Sequence, residues 1–132
     1  MKIVSWNVNG IRAVHKKGFF VPFVKKYQPD IICLQETKAA QHQSEVDLKD
    51  YEEYWNSATR KGYSGVAIFT HKSLGKPISV ALDIPAKIVP TKGRGSSTKV
   101  GTKKYNLSDK YGDTNTEGRI IVLEFKNFYI AT

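Results

Sequence analysis

The sequence QPDIICLQETK, residues Gln28–Lys38, decides how the chain folds. Pro29 and Asp30 interrupt whatever precedes them, and the apolar run Ile31–Leu34 is typical of a strand covered on both faces. Glu36 follows this strand almost directly. Since open α/β sheets bind ligands at the carboxyl ends of their strands, we expect Glu36 to lie in a functional site. A lone carboxylate in this position more often belongs to a salt bridge, so the residues near Glu36 must indicate whether it is functional.

The composition is that of an ordinary globular protein. The chain has 132 residues, 40% of them hydrophobic and 25% charged, which suffices for one domain and is short for two. It contains no apolar run long enough to cross a membrane and no recognisable secretory signal, so we expect no membrane partner. The single cysteine, Cys33, lies inside the apolar run. A reducing, intracellular location is the simpler expectation.

The charge is strongly basic and unevenly distributed. The formal net charge is +9, and residues 86–110 hold seven basic side chains against one acidic side chain, a net of +6. This excess favours an anionic partner, and nucleic acid is the first polyanion to consider. A solvated basic loop without a partner is the alternative.

The opening of the chain predicts strand, helix and strand, and therefore an α/β fold. Lys2–Asn9 alternates as a strand and would place Asn7 and Asn9 on the same side. Because Asn is depleted in strands, these amides suggest a polar site, although Asn9 with Gly10 also fits a turn. Gly18–Tyr27 has the aromatic spacing of a helix packed on the core.

The remainder of the chain predicts several short strands around a basic loop. The expected strands are Tyr51–Asn56, Val66–Thr70, Pro77–Leu82, one containing residues 120–125, and Phe128–Ala131, with a hairpin connection over residues 59–70. Residues 39–50 suggest a short helix. Residues 86–115 have few large apolar side chains and predict a long mobile loop. The final strand has no capping turn, so we expect the chain to be part of a larger domain.

The polar residues near Glu36 suggest metal-assisted phosphate chemistry. Magnesium takes oxygen ligands, commonly one or two carboxylates together with waters and substrate phosphates. Glu36 can supply one carboxylate, Asn7 an orienting amide, and Lys38 a cation that supports the acid or contacts a phosphate. Arg12 and Lys17 could bind a nucleic-acid backbone. Solvated surface is the alternative for the three cations.

Other catalytic motifs are missing from the sequence. The three histidines, His15, His42 and His71, lie beside no paired acid and have no metal-ligand spacing, so we expect them at the surface. There is no P-loop, no dinucleotide fingerprint and no zinc-type Cys/His set. Gly62 and Tyr63 lie in a charged turn and could place an aromatic ring against a groove or a sugar.

Four stretches together resemble the exonuclease III-type abasic-site endonucleases of the endonuclease/exonuclease/phosphatase superfamily. They are WNVNGIRA (Trp6–Ala13), PDIICLQETK (Pro29–Lys38), GYSGVAIFT (Gly62–Thr70) and EGRIIVLEF (Glu117–Phe125), in the order of that family. The resemblance implies the first half of a deoxyribonuclease I-like four-layer α/β sandwich. It also implies cleavage of DNA on the 5′ side of an abasic site with magnesium, or manganese as the alternative metal, and 3′→5′ exonuclease activity in some members.

The resemblance assigns roles by motif. Asn7 and Glu36 would be catalytic, and Glu36 would bind the metal. Asn9 stands where relatives have Asp or Asn and is the weaker metal ligand. The expected DNA contacts are Asn9, Arg12, Ala13, Lys17, Lys38, Gly62 and Tyr63. The resemblance also implies an intracellular location, in the cytoplasm or at the nucleoid of a bacterium, or in a eukaryotic nucleus.

The resemblance covers only the first half of the family's domain. The later half carries an active-site Tyr, a Gly-Asp-x-Asn motif and a closing Asp-His pair, and this chain of 132 residues lacks them. We therefore expect double-stranded DNA with abasic sites and the C-terminal half of the domain as partners. A catalytically inactive fragment or basic DNA-binding module is the alternative function, and a relative that acts on RNA or a phosphoinositide is a further one.

Overall fold

The computed structural model describes residues 1–82 and 116–132, together with the backbone of residues 108–109 and 112–113. In chain order the elements are β1 (Ile3–Asn7), α1 (Ile11–Lys16), α2 (Phe20–Tyr27), β2 (Ile31–Gln35), β3 (Tyr51–Asn56), β4 (Val66–His71), β5 (Ser79–Ala81), β6 (Ser108–Asp109), β7 (Gly112–Asp113), β8 (Val122–Glu124) and β9 (Tyr129–Ala131). Short 3-10 helices follow β2 and β4, at Gln41–Gln43 and Lys72–Leu74. The predicted α/β class is confirmed.

The main sheet has the strand order β1-β2-β4-β3. β1 and β2 are parallel, and Asn7 pairs with Gln35 at their carboxyl ends. A parallel pair requires a crossover connection, which α1 and α2 provide. β4 is antiparallel to both β2 and β3, and β3 and β4 form the hairpin expected around residues 59–70. The predicted strand–helix–strand opening is therefore confirmed.

The two faces of the main sheet are both covered by apolar side chains. One face packs against the helices and includes Phe20, Val24, Ile32, Leu34 and Phe69. The opposite face packs against a second sheet of strand order β5-β8-β9 and includes Ile31, Cys33, Ile68, Ile121 and Leu123. Burial on both faces explains why β2 is a continuous apolar run. The described residues thus form three stacked layers: helices, main sheet and second sheet.

The helical region differs from its prediction at both ends. The six-residue helix α1 was not expected, and α2 begins at Phe20 rather than at Gly18. Phe20 and Val24 are buried, but Phe19 is 62% exposed and Tyr27 is 44% exposed, so only part of the aromatic stripe lies in the core. The expected short helix in residues 39–50 is reduced to the 3-10 turn Gln41–Gln43. That segment has too few apolar side chains to hold a longer helix on the sheet.

The outer strands are shorter than predicted. β5 contains only Ser79–Ala81, and the alternating side chains of Ile78, Val80 and Leu82 are exposed. Cys33 is buried as expected, and burial raises the pKa of its thiol to about 11. Among the described residues, no helix is both long and apolar enough to cross a membrane.

The predicted basic loop at residues 86–115 falls almost entirely outside the described residues. Within that range the structure describes only the backbone pairing of β6 with β7. The prediction of a mobile loop therefore stays a prediction.

Candidate active site

Two polar side chains meet where the parallel strands β1 and β2 end. Asn7 is the last residue of β1, and Glu36 follows the last residue of β2. The Nδ2 atom of Asn7 donates a hydrogen bond of 2.8 Å to Oε1 of Glu36. The parallel register, which pairs Asn7 with Gln35, is what brings these side chains together. The candidate site therefore lies at the edge of the sheet where α/β folds bind ligands.

Lys38 and Asn9 complete a closed ring of polar contacts with this pair. The Nζ atom of Lys38 lies 3.2 Å from Oε2 of Glu36 and also donates a hydrogen bond to Oδ1 of Asn9. The backbone N–H of Asn9 donates to Oδ1 of Asn7 over 3.0 Å. We call these four residues, Asn7, Asn9, Glu36 and Lys38, the polar ring. Each member has its orientation set by two others.

The backbone of the polar ring is held in an unusual conformation. Asn9, Glu36 and Lys38 all have positive φ angles, of 45°, 52° and 51°. Residues other than glycine rarely adopt this left-handed region, and such strain accumulates at functional sites. Hydrogen bonds hold it in place, from Gly10 N to the Glu36 carbonyl (2.7 Å) and from Lys38 N to the Ser64 carbonyl (2.9 Å). Asn9 is thus both a turn residue and a hydrogen-bond partner of Lys38, so the two roles that the sequence suggested for it, in a turn and in a polar site, are compatible.

The environment of Glu36 favours its ionised form. The hydrogen bond from Asn7 lowers the pKa of the Glu36 carboxyl, and the nearby Lys38 ammonium lowers it further. The Glu36 side chain remains 45% exposed. Glu36 is therefore a carboxylate at neutral pH that solvent and a ligand can reach.

The polar ring can supply part of the ligand set of a magnesium ion. Within the ranges that the structure describes, no group of three or more His, Cys, Asp or Glu side chains could hold a metal together. Magnesium nevertheless needs only one or two protein carboxylates when waters and substrate phosphates complete its shell. Glu36 supplies one such carboxylate with its charge maintained. Asn7 fixes the direction in which that carboxylate points.

The predicted DNA-contacting residues fall into three groups around the polar ring. Arg12, on α1, lies at its border, where Nη2 donates a 3.5 Å hydrogen bond to the Lys38 carbonyl. Ala13 is exposed on α1, and Lys17 is exposed just after it. Gly62 and Tyr63 lie in the β3–β4 connection, across a groove from Lys38.

The histidines contribute no contact to the polar ring within the described part of the chain. His42 is exposed, as predicted, whereas His15 and His71 are partly buried. The His71 ring bonds the neighbouring Ser73, and Nδ1 of His15 is buried without a hydrogen-bond partner. The expectation that all three lie at the surface is therefore correct only for His42.

Two residues beside Tyr63 were missed by sequence reasoning. Nη2 of Arg119 donates a 3.0 Å hydrogen bond to the Tyr63 hydroxyl, and Nε of Arg119 pairs with Oε2 of Glu117 at 2.5 Å. Both residues belong to the stretch EGRIIVLEF, which gave the only sequence signal for them. Arg119 and Tyr63 are 56 positions apart in the sequence. They meet only because the two sheets pack against each other.

Comparison with known proteins gives consistent matches over the chain. Residues 4–107 match the model of the endonuclease/exonuclease/phosphatase family. An exodeoxyribonuclease of Bacillus subtilis is 38% identical over 132 residues, which are all of this chain and 41% of that protein. A DNA-(apurinic or apyrimidinic site) endonuclease of Dictyostelium discoideum is 35% identical over 133 residues, covering 99% of this chain and 29% of that protein.

A solved structure confirms the predicted fold. The catalytic domain of APE2 from Xenopus laevis superposes with a TM-score of 0.62 at 31% identity, over 93% of this chain and 38% of that one. This agreement supports the deoxyribonuclease I-like arrangement of layers. The chain spans less than half the length of each of these relatives. Because the family model covers well over half of its residues, the chain belongs to the endonuclease/exonuclease/phosphatase family.

Proposed function

We propose that this chain forms one wall of the active site of a DNA repair nuclease. The reaction is hydrolysis of the phosphodiester bond on the 5′ side of an abasic site, with 3′→5′ exonuclease activity as a second use of the same site. The observation that carries the proposal is the polar ring, which presents an ionised carboxylate at the carboxyl ends of two parallel strands. The names of the relatives, an exodeoxyribonuclease and an abasic-site endonuclease, support it.

In this proposal Glu36 holds a divalent ion, magnesium or manganese, and Asn7 positions the Glu36 carboxylate. A bound ion of this kind neutralises charge on the phosphate and activates water. Asn7 donates one hydrogen bond to Oε1 of Glu36, and because a carboxylate has about four acceptor sites, acceptor capacity remains for a metal ion. Lys38 adds a positive charge 3.2 Å from Oε2, where it also favours an approaching phosphate.

The surrounding cations would hold the DNA backbone. Arg12 lies against the Lys38 carbonyl and can contact a phosphate beside the cleaved bond. Ala13 lies on α1 and Lys17 directly follows it, and Gly62 and Tyr63 line a groove together with Lys38. Double-stranded DNA with an abasic site is the proposed substrate, in an intracellular setting. The remaining catalytic groups would come from a segment equivalent to the rest of the longer relatives, as a second part of the same domain.

The test is incision of a duplex that contains one abasic site. This chain replaces the equivalent residues of the Bacillus subtilis relative, so that the rest of a complete domain is present. We expect incision that requires magnesium and stops with chelator, and we expect Glu36→Gln to reduce it by at least about 100-fold. Glu45→Gln, at an exposed acid outside the polar ring, is the matched control and should retain activity. Full activity of the Glu36→Gln chimera would overturn the proposal.

A binding module without catalysis is the second candidate. It is favoured by the single carboxylate of the polar ring and by the net charge of +9. The same chimera separates the two functions, because a module would bind duplex DNA in a salt-sensitive way and cut none of it.

A further inference from the structure

Three aromatic side chains line one side of helix α2. Phe19 lies directly before the helix, and Phe23 and Tyr27 follow at intervals of four residues, so the three extend over about 12 Å on the same side. Phe19 is 62% exposed and Tyr27 is 44% exposed, whereas Phe23 is partly buried. We call Phe19, Phe23 and Tyr27 the aromatic patch. It lies outside the polar ring and outside the set of expected DNA contacts.

Contacts between rings connect the aromatic patch to the core. Trp6 on β1 packs on Phe23 with ring centroids 5.1 Å apart, and Phe23 packs on Tyr27 at 4.8 Å. Trp6 also lies 6.0 Å from the fully buried ring of Phe20. Tyr27 is therefore the outermost ring of a packed series and is already held in position in the free chain. A planar group could extend this series by stacking on it.

The surroundings of the aromatic patch are basic. Residues 12–27 contain no acidic side chain. They contain five cations, all of them exposed: Arg12, Lys16, Lys17, Lys25 and Lys26. None of the five forms an ion pair with another of the described residues. Lys2 adds a further positive charge, because its Nζ atom donates to the Tyr27 carbonyl. Exposed rings and unneutralised cations thus occur together on this surface.

This combination matches single-stranded nucleic acid. The bases of a single strand expose faces that stack on aromatic side chains, and its phosphates bind lysines. The Lys26 ammonium lies 5.3 Å from the centroid of the Tyr27 ring, close enough for one nucleotide to contact both. A second copy of this chain would bring like charges together, which disfavours self-association through the patch. Duplex DNA stacks its bases on each other and could use only the cations.

We propose that the aromatic patch binds single-stranded nucleic acid, with Phe19 and Tyr27 as stacking platforms and the flanking lysines as phosphate contacts. The choice of nucleic acid rests on the proposed function, because Lys17, an expected DNA contact, lies two residues before Phe19. The patch extends that function to a strand whose bases are unpaired, such as the single-stranded end of a partly duplex substrate.

The test measures binding by fluorescence anisotropy in EDTA. The probes are a labelled single strand of about 12 thymidines and a duplex of the same length. Phe19→Ala/Tyr27→Ala removes both exposed rings of the aromatic patch. The matched control is Ile78→Ala/Tyr129→Ala, which removes side chains that are 68% and 59% exposed at the second sheet. We expect the patch variant to bind the single strand at least about 10-fold more weakly and the duplex within about twofold of wild type. The control variant should bind both probes as wild type does.

Tyr27→Trp provides a signal at the aromatic patch itself. An indole that stacks on a base loses fluorescence, so the single strand should quench the emission that this variant gains over wild type. The duplex should leave that emission unchanged. Absence of quenching by the single strand would overturn the inference, as would a patch variant that binds the single strand as tightly as the control variant.

Two other occupants would also overturn the inference. An acidic amphipathic peptide or anionic lipid vesicles could bind wild type and not the patch variant, while the single strand binds both equally. The patch would then be a protein or membrane contact. Urea unfolding midpoints check that the fold is retained. If the double variant is less stable, Phe19→Ala alone repeats the test, because this side chain is largely exposed.

Binding in EDTA and incision by the chimera are separate measurements. An inactive chimera together with patch-dependent binding of the single strand would remove the proposed catalysis and leave this inference intact. An active chimera, together with single-strand binding that ignores the patch, would have the opposite result.

Discussion

At the scale of single residues, the candidate site depends on Glu36 being charged and oriented. Asn7 and Lys38 each hold one oxygen of its carboxylate, and both contacts lower its pKa, with Asn7 as the larger cause. Because the folded chain binds this proton less readily than the unfolded chain, ionised Glu36 favours the folded state above its unfolded pKa. That contribution is lost as the pH falls through the lowered pKa of the folded state.

The first prediction at this scale concerns Asn7→Ala. Removing the amide should raise the pKa of Glu36 towards the ordinary glutamate range, without restoring it fully because Lys38 remains. The carboxyl carbon resonances of labelled glutamate, followed by NMR during an acid titration, measure the change. Glu124 is an internal control, since Ser79 and Tyr129 lower its pKa and neither contacts Asn7. An unchanged Glu36 titration would show that the hydrogen bond does not set its charge.

At the scale of elements, the segment after β2 owes its shape to close contact with the β3–β4 connection. Thr37 is fully buried, and its N–H donates to the Gly65 carbonyl over 3.0 Å. Gly65 has a φ of +85°, and a Cβ atom added to it would lie 2.5 Å from Oγ1 of Thr37. Only glycine fits at this crossing. The strained backbone of Glu36 and Lys38 lies on either side of Thr37 and depends on the same contact.

Gly65→Ala should therefore destabilise the chain more than an alanine at an open left-handed position. We expect a loss of about 3 kcal/mol, from left-handed strain and overpacking together. Gly18→Ala is the control, because Gly18 has a φ of +72° with nothing within 4 Å of the added Cβ. That variant should lose about 1 kcal/mol. Urea denaturation of both variants measures the free energies of unfolding, and equal losses would contradict the close packing of Gly65 on Thr37.

At the scale of the whole molecule, the second sheet covers the face of the main sheet that lies opposite the helices. Ile121 and Leu123 pack on Ile31, Cys33 and Ile68, all of them buried. Polar contacts cross the same interface as well, and among them Nε2 of Gln35 donates to Oγ1 of Thr132 over 2.8 Å. The end of β2, and with it the position of Glu36, is thus supported from both sides of the sheet.

Leu123→Ala tests this support. Leu123 is fully buried, so its truncation should lower the free energy of unfolding by about 2–5 kcal/mol through lost burial and a cavity. Ile78→Ala removes a side chain that is 68% exposed near the same sheet and should cost less than about 1 kcal/mol. Chemical denaturation followed by tryptophan fluorescence compares the two. A Leu123→Ala variant as stable as Ile78→Ala would mean that the sheets are not packed as described.

The sequence by itself determined the class of the fold and the centre of the site. The apolar run of β2 required burial on both faces, and the Asn and Glu at the ends of two consecutive strands indicated a polar site at one sheet edge. Both inferences use only local periodicity and the rule that parallel strands end together. The same local patterns did not predict α1, because six residues are too few to show a helical period. They also did not predict which aromatic side chains in and beside α2 are exposed.

The tertiary structure alone decided which distant groups meet. The pairing of Lys38 with Asn9, the positive φ angles of the polar ring, and the approach of Arg119 to Tyr63 all depend on strand register and on backbone bonds between separate loops. Such contacts join residues 29 and 56 positions apart. Local propensity contains no information about them, because they are selected by the packing of two sheets that must bury their apolar faces together.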